Sequence, residues 1–233
     1  MKWHRNNVTL FFDYDGTIHE SLGIYAPAFR LAQKHLIRLG LAPDTPYSDQ
    51  EISRWLGCST KEMWDSFLPD LPDGYKKQAG NLIGDEMLRL TRQGGAVLYP
   101  GAPDVLSVLK NSGFHLVFLS NCKHSYMEAH RDVFHLDRNF EAYYCIEDFP
   151  VITKTQLYEK VEKNHPGAHV IIGDRKHDME IAKTFHLPSV GCFYGYGTEE
   201  ELHMASCTIQ AIDELIPLFA VTGSFRQNFR KDL

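Results

Sequence analysis

Beyond about residue 100 the chain alternates apolar runs of strand length with helical stretches, and this alternation constrains the fold more than any other feature. The runs consist mostly of β-branched, aliphatic and aromatic residues, which is typical of buried strands. Predicted strands cover residues 8–12, 114–119, 143–146, 169–172 and 189–193. Predicted helices cover residues 104–111, 125–134, 155–164 and 178–185. Strands that alternate with helices pair in parallel through right-handed crossovers. The sequence therefore predicts an α/β fold with a mostly parallel sheet.

A helical segment interrupts this alternation directly after the first strand. No convincing strand pattern occurs between about residues 20 and 95, where the apolar spacing is helical. Predicted helices cover residues 26–39, 49–56, 60–67 and about 74–90. We therefore predict a core domain of residues 1–19 and 97–233 and an inserted all-helical domain of residues 20–96. The connectors near residues 19–23 and 93–96 are the expected hinges.

The composition indicates a globular protein without a nucleic-acid partner. Hydrophobic residues make up 43% and charged residues 23%, which suffices for a core. The net charge of −6 gives no basic footprint for nucleic acid. The apolar run at residues 8–12 is too short for a signal-peptide core, and no other stretch could span a membrane. Five scattered cysteines are typical of reduced thiols, so we expect a cytoplasmic location. The sequence does not indicate an oligomeric state.

Polar residues follow three of the predicted strands at the point where each strand ends. Asp13 and Asp15 follow the first strand, Ser120 and Asn121 follow a second, and Asp174 follows a third. Side chains two apart on an extended segment share a face, so the first two carboxylates could converge on one cation. In an open parallel sheet, ligands bind at the carboxyl ends of the strands where the strand order reverses. The three clusters therefore predict one site at this edge.

The residue types in these clusters are suited to phosphate chemistry. Carboxylates, a hydroxyl, an amide and a nearby lysine suit a hard cation that holds a phosphate, and Mg²⁺ prefers oxygen ligands. Phosphoryl transfer mainly requires positioning and neutralisation of charge. The chain has neither a Gly-x-x-x-x-Gly-Lys loop nor a Gly-x-Gly-x-x-Gly motif after a strand. A metal, a lysine and loop donors would then hold the phosphate while a carboxylate attacks.

The motifs resemble those of the haloacid dehalogenase superfamily, specifically its phosphoglycolate-phosphatase-like branch with a helical cap. The resemblance implies a Rossmann-like, mostly parallel core and makes the inserted helical domain the cap. It covers nearly the whole chain, and its four motifs occur in the family's order. They are Asp13-Tyr14-Asp15-Gly16-Thr17, then Ser120-Asn121, then Lys154, then Gly173-Asp174-Arg175-Lys176-His177-Asp178. Two further segments common in that branch are Tyr99-Pro100-Gly101 and Gly195-Tyr196-Gly197.

The resemblance implies a role for each catalytic residue. Asp13 would attack phosphorus and form an aspartyl-phosphate. Asp15 would act first as a general acid on the leaving oxygen and then as a general base on water, and neighbouring negative charge would keep it protonated for the first step. Lys154 would neutralise the phosphate and hold Asp13. Lys160 and Lys163 are alternatives for this lysine, although they fall within or late in the following helix.

The resemblance also implies the residues that bind phosphate and metal. Thr17, Ser120 and Asn121 would hydrogen-bond to or orient the phosphoryl group. Mg²⁺ would be bound by the Asp13 carboxylate, the Asp15 backbone carbonyl, Asp174 and Asp178.

The expected function is that of a magnesium-dependent phosphatase that hydrolyses a small phosphomonoester, such as phosphoglycolate or a related metabolite. A phosphosugar mutase, a pyrophosphatase and a non-catalytic binding protein on the same fold are the alternatives. Dehalogenases of the superfamily have tyrosine in place of the second aspartate, so Asp15 argues against dehalogenation. The sequence does not indicate which small phosphorylated metabolite is the substrate.

Other side chains near the motifs have weaker functional interpretations. His19 could line the entrance to the site. Arg54 and Lys61 of the cap could meet an anionic part of the substrate, although solvated helix faces explain them equally well. His124 and His177 are more typical of loop donors or exposed side chains than of catalysts. A group of apolar cap residues is expected in the cap core or on its face towards the sheet: Trp55, Met63, Trp64 and Phe67.

Overall fold

A computed structural model describes residues 7–149, 153–165 and 167–220 of the chain. The strands of this part are β1 Val8–Phe12, β2 His19–Glu20, β3 Val97–Leu98, β4 His115–Ser120, β5 Ala142–Cys145, β6 Ala168–Gly173, β7 Ser189–Cys192 and β8 Cys207–Ile209. The helices are α1 Leu22–Arg38, α2 Asp49–Ser53, α3 Thr60–Phe67, α4 Asp73–Arg92, α5 Ala102–Asn111, α6 His124–Phe134, α7 Lys154–Val161, α8 Lys176–Phe185, α9 Glu199–Leu202 and α10 Leu215–Ala220. None of the described helices has the length and hydrophobicity that crossing a membrane requires.

Six strands form one sheet in the order β5-β4-β1-β6-β7-β8, and every neighbouring pair is parallel. The central strand is β1, where Phe12 pairs with Phe118 on one side and with Ile172 on the other. From β1 the chain first builds one half of the sheet through β4 and β5, and it then returns to build the other half from β6. The carboxyl ends of β1, β4 and β6 therefore lie side by side where the strand order reverses. The predicted parallel α/β fold is confirmed.

Alternate residues of the central strands face opposite layers of helices, as the two-residue period of a strand requires. One face packs against α5, α6 and α10, and it comprises Val8, Leu10, Phe12, Leu116, Phe118, Val170 and Ile172. The other face packs against α7 and α8, and it comprises Phe11, Val117, Leu119 and Ile171. Because both faces are buried, the strands read in sequence as continuous apolar runs.

Helices α1 to α4 form a helical insertion between β2 and β3, and the insertion has an apolar cluster of its own. The rings of Phe29 and Trp55 stack at a centroid distance of 4.8 Å in this cluster, and Phe67 packs beside both. The two connecting segments pair with each other as a short antiparallel ribbon, in which His19 lies opposite Leu98. The insertion is thus joined to the sheet through this two-stranded ribbon.

The structure differs from the predicted elements at several places. Helix α1 begins at Leu22 instead of residue 26 and includes Pro27, whose missing N–H costs the helix one backbone hydrogen bond. Helix α2 ends at Ser53 instead of residue 56, because the chain turns towards Gly57, which has a left-handed φ of 74°. Strand β8 and helix α10 were not predicted. Residues 221–233 of the predicted core lie outside the described part.

Candidate active site

Three buried aspartates converge at the carboxyl edge of the sheet. Asp13 directly follows β1, Asp174 directly follows β6, and Asp178 lies in the first turn of α8. One carboxylate oxygen of each lies within 4.8 Å of the others. Gly16 permits this approach: its φ is 81°, and a Cβ at this position would lie 2.2 Å from Asp174 Oδ2. The first and fourth motifs therefore meet in space, although Asp13 and Asp174 are 161 positions apart in the sequence.

A buried lysine joins two of these aspartates. Lys154 is the first residue of α7, whose N-terminus is capped by the Thr153 side chain. Its Nζ lies 2.6 Å from Asp13 Oδ1 and 2.7 Å from Asp178 Oδ1, and the side chain is 3% exposed. The alternatives Lys160 and Lys163 are exposed at the far end of the same helical stretch. Of the three lysines considered, Lys154 is the one that reaches the aspartates.

The pKa shifts in this cluster show that its negative charge exceeds its positive charge. Burial raises the pKa of Asp13 to about 7, with Lys154 opposing and Asp178 adding to the shift. Burial also raises the pKa of Asp174 well above its usual range, and repulsion from the other carboxylates contributes. Although burial acts against it, the attraction of Asp13 and Asp178 raises the pKa of Lys154. Three carboxylates share the charge of one ammonium, so a divalent cation with oxygen ligands would fit here.

Asp15 lies outside this cluster, and its carboxylate has a different set of partners. Its Oδ1 accepts hydrogen bonds from Ser21 Oγ at 2.5 Å and Tyr126 OH at 2.7 Å, and it lies 3.1 Å from His19 Nδ1. Burial alone would raise the pKa of Asp15, but His19 and the two hydroxyl donors outweigh it and lower the pKa. These donors favour the ionised form of Asp15, so the negative charge predicted to keep it protonated does not prevail among its own side-chain neighbours.

The other predicted phosphate ligands lie around the same edge. The Ser120 hydroxyl accepts a hydrogen bond from the Cys122 N–H at 3.2 Å. Asn121 Nδ2 donates to the Gly57 carbonyl of the insertion at 3.4 Å, while Asn121 Oδ1 has no partner among the described residues. Thr17 is fully buried, and its Oγ1 donates to Asp174 Oδ1 at 3.4 Å. Thr17 therefore contacts the acidic cluster and is absent from the lining of the cavity next to it.

A cavity of about 620 Å³ opens above Asp13 and Asp15, between the sheet edge and the helical insertion. Ser120 and Asn121 also line its floor. Apolar side chains of the insertion line much of its wall: Tyr25, Trp55, Leu56, Met63, Trp64, Ile83, Met87 and Leu88. The two aspartates of the first motif thus lie at the bottom of a pocket whose wall belongs to the insertion.

Arg175, which sequence reasoning did not single out, connects the sheet edge to the insertion. It is 6% exposed. Its guanidinium donates to the Leu56 carbonyl and, at 3.4 Å, to the Arg54 carbonyl, and it pairs with Glu201 Oε1 at 3.2 Å. Because it directly follows Asp174, it places the loop at residues 54–58 next to the acidic cluster. Its position in the fourth motif was the available signal.

The weaker candidates lie in varied places. His19 is fully buried against Asp15 and does not line the cavity. His177 lies 3.1 Å from Glu62 Oε2 of the insertion. His124 is exposed and pairs with Asp148 at 2.9 Å. Arg54 and Lys61 are exposed and are absent from the cavity lining. The cations that do line the cavity were missed by sequence reasoning: Lys76, Lys77 and Lys123.

An aspartate at the end of a central parallel strand, beside a buried lysine and two further acids, defines an α/β enzyme whose chemistry takes place at the carboxyl edge of its sheet. The model of the haloacid dehalogenase-like hydrolases matches residues 10–192, and the chain belongs to this family. The resemblance inferred from the four motifs is therefore confirmed.

Curated relatives and solved structures agree with this membership. The chain is 26% identical over 201 residues to the phosphoglycolate phosphatase of Pasteurella multocida, with 79% of this chain and 85% of that relative covered. It is 21% identical over 247 residues to the phosphoglycolate phosphatase of Escherichia coli K12, with 95% and 96% covered. A predicted phosphoglycolate phosphatase from Haemophilus somnus has the same fold, with a TM-score of 0.78, 18% identity, and 91% of this chain and 98% of that chain covered.

Proposed function

We propose that this enzyme is a magnesium-dependent phosphatase that hydrolyses a small phosphomonoester through an aspartyl-phosphate intermediate. The observation that carries the proposal is the placement of Asp13 at the cavity floor, 2.6 Å from the ammonium of buried Lys154 and beside two further buried acids. A carboxylate in this position can attack phosphorus while the lysine neutralises charge. The curated relatives described above are phosphatases, which favours hydrolysis over the mutase and pyrophosphatase alternatives.

The acidic cluster would hold the metal. Asp13, Asp174 and Asp178 provide three carboxylates close together, and the pKa values of Asp13 and Asp174 are raised. A cation would compensate this concentration of negative charge, and the backbone carbonyl of Asp15 would be a fourth ligand. When bound, Mg²⁺ would neutralise the phosphate oxygens. Because burial holds the pKa of Asp13 at about 7 even with Lys154 beside it, the nucleophile would need a further positive charge to be fully ionised at neutral pH.

The remaining residues orient the phosphoryl group. Lys154 holds Asp13 in place and faces the transferred charge. Ser120 and Asn121 line the floor next to the nucleophile and offer a hydroxyl and an amide to the phosphate oxygens. Thr17 keeps Asp174 in position through its hydroxyl.

Asp15 would serve as the acid and then as the base. Its resting state is the ionised carboxylate held by Ser21, His19 and Tyr126. A phosphate dianion placed beside it would raise its pKa, so Asp15 would take up a proton from solvent when substrate binds and pass that proton to the leaving oxygen. The same three donors favour return to the ionised base, which then activates water to hydrolyse the aspartyl-phosphate.

We further propose that the helical insertion, within residues 20–96, acts as a cap over a core of residues 1–19 and 97–233. Its wall encloses the cavity, and closure would exclude water during the first step. The β2–β3 ribbon would be the hinge. Five free cysteines are consistent with action on a metabolite in the reducing cytoplasm.

Replacement of Asp13 with asparagine tests the proposal. Asp13→Asn keeps the shape of the side chain but removes the nucleophile, so phosphate release from p-nitrophenyl phosphate and acetyl phosphate should fall to background. Removal of metal with EDTA should abolish wild-type release, and added Mg²⁺ should restore it. Undiminished turnover by Asp13→Asn, with an unchanged circular dichroism spectrum, would overturn the nucleophile assignment. Glucose 6-phosphate made from β-glucose 1-phosphate without free phosphate would favour the mutase.

A further inference from the structure

The cavity is larger than an ester of a two-carbon acid requires. Its volume is about 620 Å³, within the range of about 300–1,000 Å³ that pockets for drug-sized ligands have. Phosphoglycolate, with two carbons, would occupy only the floor near Asp13. The wall beyond the floor is largely apolar and includes the rings of Tyr25, Trp55 and Trp64. The space and its chemistry suit a larger organic group.

Two glycines in the interior of α4 create part of this space. Gly80 and Gly84 are four residues apart, so they lie on one face of the helix, and both line the cavity. Glycine in a helix interior is less stable than alanine. Packing does not require it here: a Cβ at Gly80 would lie 3.8 Å from Trp64 Nε1, and one at Gly84 would lie 3.6 Å from Lys123 Nζ. Both are ordinary contacts, so the absent methyl groups serve the cavity instead of the fold.

An unpartnered donor lies beside the same face. Trp64 is 3% exposed, and its Nε1 has no hydrogen-bond partner among the described residues. A Cβ added at Gly80 would lie 3.8 Å from this nitrogen. A buried N–H without a partner is costly, and an acceptor atom over Gly80 would satisfy it. This donor is an observation independent of the glycines, and it points to the same space.

We infer that Trp64, Gly80 and Gly84 form a subsite for the organic part of the substrate, which is a phosphomonoester with a ring-sized, largely apolar body and a hydrogen-bond acceptor. The inference rests on the proposed phosphatase function and specifies its substrate class. The phosphate lies at the floor with Asp13, and the ring lies between α3 and α4 with an acceptor towards Trp64 Nε1. Phosphoglycolate is a poor substrate under this assignment.

The experiment compares two esters of similar leaving group. Pyridoxal 5′-phosphate and phosphoglycolate both carry phosphate on a primary alkyl oxygen, but only the first has a ring. Wild-type kcat/KM for phosphate release should be at least about tenfold higher with pyridoxal 5′-phosphate, since each methylene-sized contact in a pocket changes kcat/KM by about tenfold or more. Gly80→Ala and Gly84→Ala should each lower kcat/KM for the ring ester by about tenfold or more, mainly through KM. Their loss with phosphoglycolate should be smaller.

Measurements of Tm distinguish two causes of lost activity in Gly80→Ala and Gly84→Ala: a methyl group that fills the cavity, and a destabilised fold. Gly80→Ala and Gly84→Ala should raise Tm by about 2–4 °C, as helix propensity and chain length predict. Gly74→Ala is the matched control: it lies in α4 outside the cavity lining, and no atom of the described residues lies within 4 Å of its added Cβ. It should raise Tm without lowering kcat/KM for either ester. Trp64→Phe keeps a ring but removes the N–H, so it should raise KM for the ring ester.

Results that overturn the subsite differ from the result that refutes the phosphatase function. Wild-type preference for phosphoglycolate would overturn the subsite, as would equal losses on both esters in Gly80→Ala and Gly84→Ala. A lower Tm in these variants would also overturn it, because the glycines would then be required for packing. Absence of Asp13-dependent phosphate release from every ester would instead refute the phosphatase function itself.

Discussion

Replacement of Arg175 with glutamine tests whether turnover requires the helical insertion to be held against the sheet edge. The Arg175 guanidinium donates to the Leu56 carbonyl and approaches the Arg54 carbonyl at 3.4 Å, while Glu201 Oε1 lies 3.2 Å away. Glutamine retains a polar group but has a shorter side chain and no charge. The loop at residues 54–58 would then lose its charged donor, while the acidic cluster would keep its own residues.

The expected magnitude follows from the lost hydrogen bond. A hydrogen bond from a charged donor is worth about 1.5–3 kcal/mol. Loss of this free energy shifts the equilibrium between the closed and the open insertion by about 10- to 150-fold towards the open form. Because only the closed form would enclose the cavity, and we expect the open form to predominate without this donor, kcat/KM of Arg175→Gln should fall by up to about 10- to 150-fold at saturating Mg²⁺.

Phosphate-release kinetics and amide hydrogen exchange together decide the outcome. Exchange of the amides at residues 54–58 should accelerate in Arg175→Gln, which reports the opening. Glu201→Gln is the control, because it removes the ion pair and leaves the donors to the Leu56 and Arg54 carbonyls in place. It should stay within about threefold of wild type, because glutamine keeps an oxygen that can accept the hydrogen bonds from the Arg175 guanidinium. Faster exchange with unchanged kcat/KM would refute the need for closure.

Three further predictions concern the buried residues around the site. Lys154→Met leaves buried carboxylates without their ammonium, so the free energy of unfolding in urea with EDTA should fall by about 3–5 kcal/mol at pH 7, and an unchanged value would contradict the buried ion pairs. Burial lowers the pKa of His130 from 6.5 to about 3, so the folded state binds fewer protons than the unfolded one. The contribution of neutral His130 to the free energy of unfolding is therefore complete above pH 6.5 and is lost as the pH falls from 6.5 towards 3. The loss should reach about 2 kcal/mol by pH 5. Urea titrations of His130→Gln should lack this loss. Gly16→Ala places a Cβ 2.2 Å from Asp174 Oδ2 at a φ of 81° and should lower phosphate release by about 100-fold, whereas Gly40→Ala, at a φ of 70° with no described atom within 4 Å, should lower only stability.

The sheet was predictable because each of its central strands is defined by local sequence. The residues of β1, β4 and β6 are apolar on both faces, and each run ends at a polar cluster within one residue of the observed end. The start of α1 was not predictable in this way, since Pro27 suggests a helix that begins near it, whereas the observed helix begins five residues earlier. Strand β8 has three residues and depends on pairing with β7, which no local pattern reveals.

The residues of the site likewise fall into those that local sequence predicts and those that depend on tertiary packing. Asp13 and Asp174 were predictable because each directly follows a strand, whereas Lys154 and Asp178 were implied only by the resemblance to the family. The cavity wall, the Arg175 contacts and the cations that line the cavity depend on how the insertion lies against the sheet edge. Residues such as Arg175 and Leu56 are 119 positions apart, and no spacing rule brings them together. Tertiary packing alone decides these neighbours.

The pair Asp13 and Asp15 shows what the structure adds to a motif. Side chains two residues apart on a strand share a face, and on that basis both carboxylates could bind one cation. The strand ends at Phe12, however, so the chain turns and the two side chains enter different surroundings. Asp13 meets acids and a lysine, and burial raises its pKa to about 7, whereas the donors around Asp15 overcome burial and lower its pKa. Opposite shifts in one motif fit the distinct roles proposed above: the first carboxylate would need a cation before it attacks, and the second would be a base until a bound phosphate dianion raises its pKa and it takes up a proton from solvent.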